Sequence, residues 1–315
     1  MKKGITRKFL LALIVTFAMS ILTSCGSATA PLASPDIKIY LLDLTGSGNV
    51  ENQFRLIQDD LFTDMTSHSL GSQEIGSGPA LTKFFFVGTN SRALREFLLQ
   101  DHQVPYELFT YISDENNDTR TKKFWRLLTE KYQNYISTNL ENRTKVSKDN
   151  CKNDFNEILT PTWSSEGVRN VYVSFMCRMA VYSLTNYADL NDYILEQSQP
   201  GVQKASDVFG AFSKISNQIT KYRTTYPDSK IIIKLATDGD HNLGGSSPTN
   251  LRAQIMNSQD ICSLADDLRI KYQLQDFKTD GNVSIDPRGI AAIVKGTGEY
   301  PAMLENFWSC FFTAS

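Results

Sequence analysis

Residues 230–240 read Lys-Ile-Ile-Ile-Lys-Leu-Ala-Thr-Asp-Gly-Asp. A short apolar run that stops abruptly in a polar, glycine-containing turn is the signature of a buried strand. Ahead of it, Val208, Phe212, Ile215 and Ile219 recur at helical spacing and give an amphipathic helix. The same pattern opens the body of the chain. Asp36-Ile-Lys-Ile-Tyr-Leu-Leu-Asp43 is a second apolar run, broken by Gly46, Ser47 and Gly48. A helical face follows through Val50, Phe54, Ile57, Leu61 and Met65, and a loop spans Gly71 to Gly78. Lys83-Phe-Phe-Phe-Val-Gly88 reads as a further buried strand, with a short helix expected over 91–100.

Beyond the 230–240 strand, Ile261, Leu264 and Leu268 predict a helix over 259–271. Gly289-Ile-Ala-Ala-Ile-Val-Lys-Gly296 predicts a fourth strand, and Met303, Phe307, Trp308 and Phe311 a closing helix. Alternation of continuous apolar strands with amphipathic helices implies an α/β fold, a doubly wound, mostly parallel sheet flanked by helices. Residues 101–200 break the rhythm. They hold a polar stretch (113–123), a long helical pattern (Phe124, Leu127, Leu128, Tyr132, Tyr135 and Ile136) and an apolar segment at 168–183 that fits strand or helix. This region reads as a largely helical insertion within a single domain covering 36–315.

The chain has 315 residues, 41% of them apolar and 21% charged, enough to bury a core. Its 32 basic and 34 acidic residues give a net charge of −2, which lacks the strongly basic footprint of a nucleic-acid binder. With only 3 histidines and 5 cysteines, and no Cys-x-x-Cys or His-Glu-x-x-His, it has no basis for a zinc site of paired ligands.

The first residues form an address. Lys2, Lys3, Arg7 and Lys8 precede an apolar stretch from Phe9 to Leu22, and Leu22-Thr23-Ser24-Cys25 follows. A charged start, a short apolar core and small residues before a cut site describe a secretory signal over 1–24. The Leu-x-x-Cys ending resembles the lipobox of bacterial lipoproteins, which implies cleavage before Cys25 and a lipid anchor on that thiol. The alternative is an ordinary cleaved signal with Cys25 there by chance. Residues 25–35 are small, polar and proline-containing, a tether between lipid and fold. Removal of 1–24 leaves 28 basic and 34 acidic residues, so the acyl chains alone would provide the attachment to the membrane. Gly26 in place of the Asp that resembles an inner-membrane retention signal leans toward an outer membrane where the host has one. In an oxidising space, Cys151, Cys177, Cys262 and Cys310 permit two disulfides in three pairings, among which sequence does not choose. The shorter loops would join Cys151 to Cys177 and Cys262 to Cys310. Free buried thiols are the alternative.

In an open parallel sheet, ligands bind beyond the carboxyl ends of the strands. Three segments would meet there: Asp43-Leu44-Thr45-Gly46-Ser47, Ala205-Ser206-Asp207, and Thr237-Asp238-Gly239-Asp240. They offer carboxylates and hydroxyls, hard oxygen donors suited to Mg²⁺ or Ca²⁺. Here the chain resembles the von Willebrand factor A domain. The metal-ion-dependent adhesion site of that family has an Asp-x-Ser-x-Ser loop, a Thr in a second loop and an Asp, often in Thr-Asp-Gly, in a third. Asp43-x-Thr45-x-Ser47 matches with Thr in place of the first Ser, and Ala-Thr-Asp-Gly at 236–239 matches the third loop. Ser206 stands where the family usually has Thr, so the second loop matches least well. The resemblance covers 36–99 and 201–315.

The resemblance implies that Thr45, Ser47 and Ser206 touch a divalent cation, Mg²⁺ or else Mn²⁺ or Ca²⁺. Asp43 and Asp238 would hold it through water or orient the hydroxyls. An acidic side chain of a protein partner would complete the coordination. The expected function is therefore that of a surface- or periplasm-exposed lipoprotein acting as an adhesion or assembly module, not an enzyme. The alternatives are a metal-dependent hydrolase or nucleotide-binding enzyme at the same edge, and a metal-free structural scaffold. Neither Gly-x-Gly-x-x-Gly nor Gly-x-Ser-x-Gly is complete, and no phosphate-binding Gly-x-x-x-x-Gly-Lys loop occurs. Plainer readings exist for each residue: Asp43 and Asp238 as turn or cap residues, Ser206 as a helix N-cap, His241 as a loop residue, and Trp308, Phe311 and Phe312 as core.

Overall fold

The computed structural model describes residues 35–45, 50–67, 80–101, 130–140, 146–156, 166–243, 250–290 and 298–313. The signal, Cys25, most of the tether and Ser47 lie outside the described residues. Residues 34–315 form one compact unit.

In chain order the elements are β1 (Asp36–Asp43), α1 (Val50–Ser67), β2 (Ala80–Val87), β3 (Phe97–Asp101), α2 (130–140), α3 (Lys148–Asn156) and α4 (Glu166–Gln197). There follow α5 (Val208–Thr225), β4 (Ile231–Ala236), α6 (Leu251–Asn257), α7 (Ile261–Lys271), β5 (Val283–Arg288) and α8 (Tyr300–Phe312). The fold is α/β. The sheet runs β3-β2-β1-β4-β5, with β1, β2, β4 and β5 parallel and β3 antiparallel at one edge.

Helices cover both faces, and the two-residue period of β1 divides the core between them. Ile37, Ile39 and Leu41 enter one cluster with Val208, Phe212 and Ile215 of α5 and Leu304, Trp308 and Phe311 of α8. Tyr40 and Leu42 enter the other, with Ile57, Leu61 and Met65 of α1 and Met176, Leu184 and Leu190 of α4.

The second face is not uniformly apolar. Where α1 crosses β1 and β4, Asp60 and Asp64 descend onto strand cations. Lys38 Nζ lies 3.8 Å from Asp64, and Lys234 Nζ lies 3.3 Å from Asp60 and 3.9 Å from Asp64. The Tyr40 hydroxyl donates to Asp64, and Arg288 pairs with Asp60. Burial and the neighbouring carboxylates push the Tyr40 hydroxyl far above its ordinary range.

One expectation needs correction, and one open reading is settled. Residues 91–100 are not a helix: a turn leads into β3, which pairs with β2 and buries Phe97 and Leu99. Pairing with the Phe84 region of β2 outweighs the weak helical spacing of Leu94, Leu98 and Leu99. The segment at 168–183 is helix, part of the 32-residue α4. Of the strand expected over 289–296, residues 291–296 lie outside the described residues; the sequence did not anticipate β5. Pro287 hid it, since proline suits only strand positions that make no ladder donation, such as an edge.

Disulfides join Cys151 of α3 to Cys177 of α4, and Cys262 of α7 to Cys310 of α8. Among the described residues, no helix is long and apolar enough to cross a membrane.

Candidate functional site

The chain leaves β1 toward β2 and β3, then returns past β1 to form β4. The strand order thus reverses between β1 and β4, and the crevice outside their carboxyl ends is the natural ligand position of such a sheet. Register places the key residues there. Leu42 pairs with Ala236, so Asp43 ends β1 beside Thr237.

Asp43 is fully buried. Its Oδ1 accepts from the Thr45 amide at 2.9 Å and the Thr45 hydroxyl at 2.7 Å, and its Oδ2 accepts from the Thr237 hydroxyl at 2.8 Å. An Asp that binds its own backbone two residues on shapes a tight turn, which is why the strand stops here. Thr45 Oγ1 lies 2.7 Å from Ser206 Oγ. With the Thr45 hydroxyl donating to Asp43, its oxygen is left to accept from Ser206.

Ser206 is fixed by its backbone. It exchanges two hydrogen bonds with Asn242, of 2.7 and 3.0 Å, in an isolated antiparallel bridge. That bridge ties the second loop to the chain following the third. Ser206 is not the cap of α5. The N-cap is Asp207, whose Oδ1 accepts from Gly210 N at 3.0 Å. The Asp207 amide donates to Gly88 O at 2.9 Å, and Ser91 Oγ donates to Asp207 O at 2.7 Å.

In the third loop, Asp238 is 2% exposed, and its Oδ1 accepts from Asp240 N at 2.9 Å. Thr237 Oγ1, while donating to Asp43, accepts from Gly239 N at 3.0 Å. Gly239 has φ +75°, a conformation that disfavours any side chain, and a Cβ there would meet the Trp308 indole. Helix α8 braces this loop twice. Trp308 Nε1 donates to Gly239 O at 3.1 Å, and Tyr300 Oη donates to Asp240 Oδ1 at 2.7 Å.

Burial, and then the charge of Asp238, push the Asp43 carboxyl up to about 7, against the hydrogen bonds from Thr45 and Thr237. Two buried carboxylates set among hydroxyls are hard oxygen donors, and a divalent cation there would relieve the repulsion that Asp238 exerts on Asp43. His241 is fully buried against Phe209, with ring centroids 4.7 Å apart. Neither of its ring nitrogens has a hydrogen-bond partner among the described residues. Burial holds its pKa down at about 4, which keeps the imidazole neutral.

The structure therefore brings together Asp43, Thr45, Ser206 and Asp238, while Ser47 and Cys25 lie outside the described residues. Among the described residues, no group of three or more His, Cys, Asp or Glu side chains is placed to hold a metal ion, so a cation here would depend on the hydroxyls. Sequence reasoning missed Thr237, although it stands directly before Asp238. It also missed the two donors from α8, which only the fold brings to the loop. No protein-family model matches the chain, and no curated protein matches it.

Proposed function

We propose that this chain is a lipid-anchored cell-envelope protein whose von Willebrand A-type domain binds a protein partner through a divalent cation. The observation that carries this reading is the contact between the Thr45 and Ser206 hydroxyls, directly above the buried Asp43 carboxylate. Two loops distant in the chain converge there on one point at the reversal of the sheet. Thr45 and Ser206, with Ser47, would hold Mg²⁺ (or Mn²⁺ or Ca²⁺) through neutral oxygens. Asp43, itself held by Thr237, orients the Thr45 hydroxyl, and Asp238 would supply compensating charge. A cation held mainly by hydroxyls keeps its attraction for one more anionic oxygen, and that would come from an acidic side chain of the partner. The chain's own residues do no bond-making chemistry in this reading.

The test is calorimetric titration of MgCl₂ and MnCl₂ into residues 26–315, beside Asp43→Ala and Asp238→Ala. Saturable binding that both substitutions abolish supports the reading. Absence of binding, with a melting temperature unmoved by either cation, overturns it in favour of a metal-free scaffold.

A further inference from the structure

The two disulfides differ in how far solvent reaches them. Cys151 of α3 and Cys177 of α4 are fully buried. Cys262 is exposed on the first turn of α7, and Cys310 is half-buried on the last turn of α8. Thiol–disulfide exchange requires a thiolate to reach a sulfur, so access selects the second pair.

That pair is tied to the candidate site through α8. Cys310 lies two residues beyond Trp308, less than one turn along the helix, and Trp308 Nε1 donates to Gly239 O at 3.1 Å. Tyr300, in the first turn of the same helix, donates to Asp240 Oδ1 at 2.7 Å. Both acceptors belong to the loop that carries Asp238. Beside the disulfide, α7 and α8 meet through apolar side chains and one stacked cation. Ala265 and Leu268 of α7 share a core cluster with Phe307 and Phe311 of α8, and the Arg269 guanidinium lies over the Phe311 ring at 5.7 Å. Hydrophobic contact is non-directional, so it holds α8 against α7 without fixing its position along that helix. The disulfide supplies the fixed point. A second tie, from Thr279 N to Phe312 O at 2.9 Å, keeps the end of α8 attached when the disulfide is open.

We propose that Cys262–Cys310 is a thiol–disulfide exchange site through which a dithiol reductant loosens the third loop. A thiolate of the reductant attacks the exposed Cys262 sulfur and forms a mixed disulfide. The bond to Cys310 breaks, and the Cys310 sulfur leaves with the electron pair and takes a proton from water. The second thiolate of the reductant then displaces Cys262, which is protonated in the same way. The reductant ends as a disulfide, and the protein gains two electrons and two protons. Released from α7, α8 shifts against it, and the Trp308 and Tyr300 donors lose their alignment on Gly239 and Asp240. This loosening needs no cation. A fall in cation affinity on reduction is its consequence for the site, and that part rests on the function proposed above.

The experiment treats folded residues 26–315 with dithiothreitol over a time course, alkylates with iodoacetamide and maps the labelled cysteines by peptide mass. Cys262 and Cys310 are expected to label roughly tenfold faster than Cys151 and Cys177, or more. Hydrogen exchange is then compared between the oxidised protein, the protein opened at this disulfide alone and a Cys262→Ser/Cys310→Ser variant. Amides of 236–243 are expected to exchange roughly fivefold faster in both opened forms, while those of 36–43 stay unchanged and report an intact sheet. Should the variant fail to fold, the opened wild type carries the comparison. Labelling of Cys151 and Cys177 at the same rate or faster overturns the proposal. So does unchanged exchange at 236–243, or equal acceleration at 36–43, which means global unfolding. Titration of MgCl₂ into the oxidised and opened forms separates the two levels. Weaker binding after opening supports the consequence for the site, and equal affinity overturns it. Absence of binding in both forms overturns the cation reading, with hydrogen exchange still deciding the exchange site.

Discussion

Thr45 and Ser206 are 161 positions apart in the chain, and their side-chain oxygens are 2.7 Å apart. Each depends on the other's loop, since Ser206 donates to Thr45 and Thr45 to Asp43. Replacing Thr45 by Val keeps the shape and removes the middle member of this relay. Mg²⁺ binding is expected to fall at least tenfold, while the urea midpoint moves by only about 1–2 kcal/mol in free energy.

In the cation-dependent reading, the Asp43 carboxyl makes binding depend on pH. Burial and Asp238 raise it from an ordinary 3.8 to about 7, so near neutrality the cation must displace a proton. Mg²⁺ affinity is expected to rise with pH up to about 7 and then level off. Asp43→Asn should show no such dependence and weak binding throughout. Calorimetry in buffers of different ionisation enthalpy counts the released proton directly.

In EDTA, two buried groups pull stability in opposite directions. The folded chain retains the Asp43 proton between about pH 4 and 7 where the unfolded chain has lost it, so this group makes stability fall as pH rises through that window. His241 stays neutral down to about 4 where the unfolded imidazole charges below 6.5, so this group makes stability fall as pH drops. The wild type should therefore show a shallow profile between pH 4 and 6.5. Asp43→Asn should leave a limb rising with pH, and His241→Phe a limb falling with pH. Because both His241 nitrogens lack partners among the described residues, His241→Phe is also expected to leave the protein as stable as the wild type or more so at neutral pH. Urea titrations across the range measure all three curves.

Helix α8 holds the third loop, and its removal from that task is measurable. Trp308→Phe keeps a ring in the core but deletes the donor to Gly239 O, at an expected cost of about 1–2 kcal/mol and a weaker cation site. Gly239→Ala meets both the positive φ and the indole, and is expected to cost about 2 kcal/mol or more.

The two disulfides close loops of 26 and 48 positions, each worth about 3–4 kcal/mol by the chain-entropy argument. Thiol titration of unreduced, urea-unfolded residues 26–315 should find no free thiol, and dithiothreitol should lower the urea midpoint markedly. For the anchor, Cys25→Ser in the full chain is expected to abolish incorporation of labelled palmitate and release the protein from the membrane fraction.

What the sequence displayed, and what it concealed, divides along range of interaction. The apolar runs at 36–43, 83–87 and 231–236 are buried on both faces, so local pattern alone marked them as strands. The residues at the ends of β1 and β4 were legible because a strand end followed by Asp and Gly is a local signal. Strand β3 was not, because its pairing with β2 is a tertiary event that overrides weak local spacing. Strand β5 carries Asp286, Pro287 and Arg288, half-exposed at the sheet edge, and so lacks an apolar signature. Thr237 shows no sign of its role until β4 is laid against β1. Likewise Trp308 and Tyr300 look like ordinary core residues until α8 is seen to cross the third loop.

The acidic residues beneath α1 set where that helix can stop. An all-apolar contact between helix and sheet tolerates sliding, because one methyl group replaces another. Asp60 and Asp64 face Lys38, Tyr40, Lys234 and Arg288 from one position only. A shift of one turn, about 5.4 Å, would strand buried charge. The helix is thereby indexed along its axis like a key in a lock's wards, and the height of its first turn, at Val50, is decided at the opposite end. Since only four residues separate Thr45 from Val50, an ion network on the opposite end of α1 also limits where the Asp43–Thr45 turn can lie.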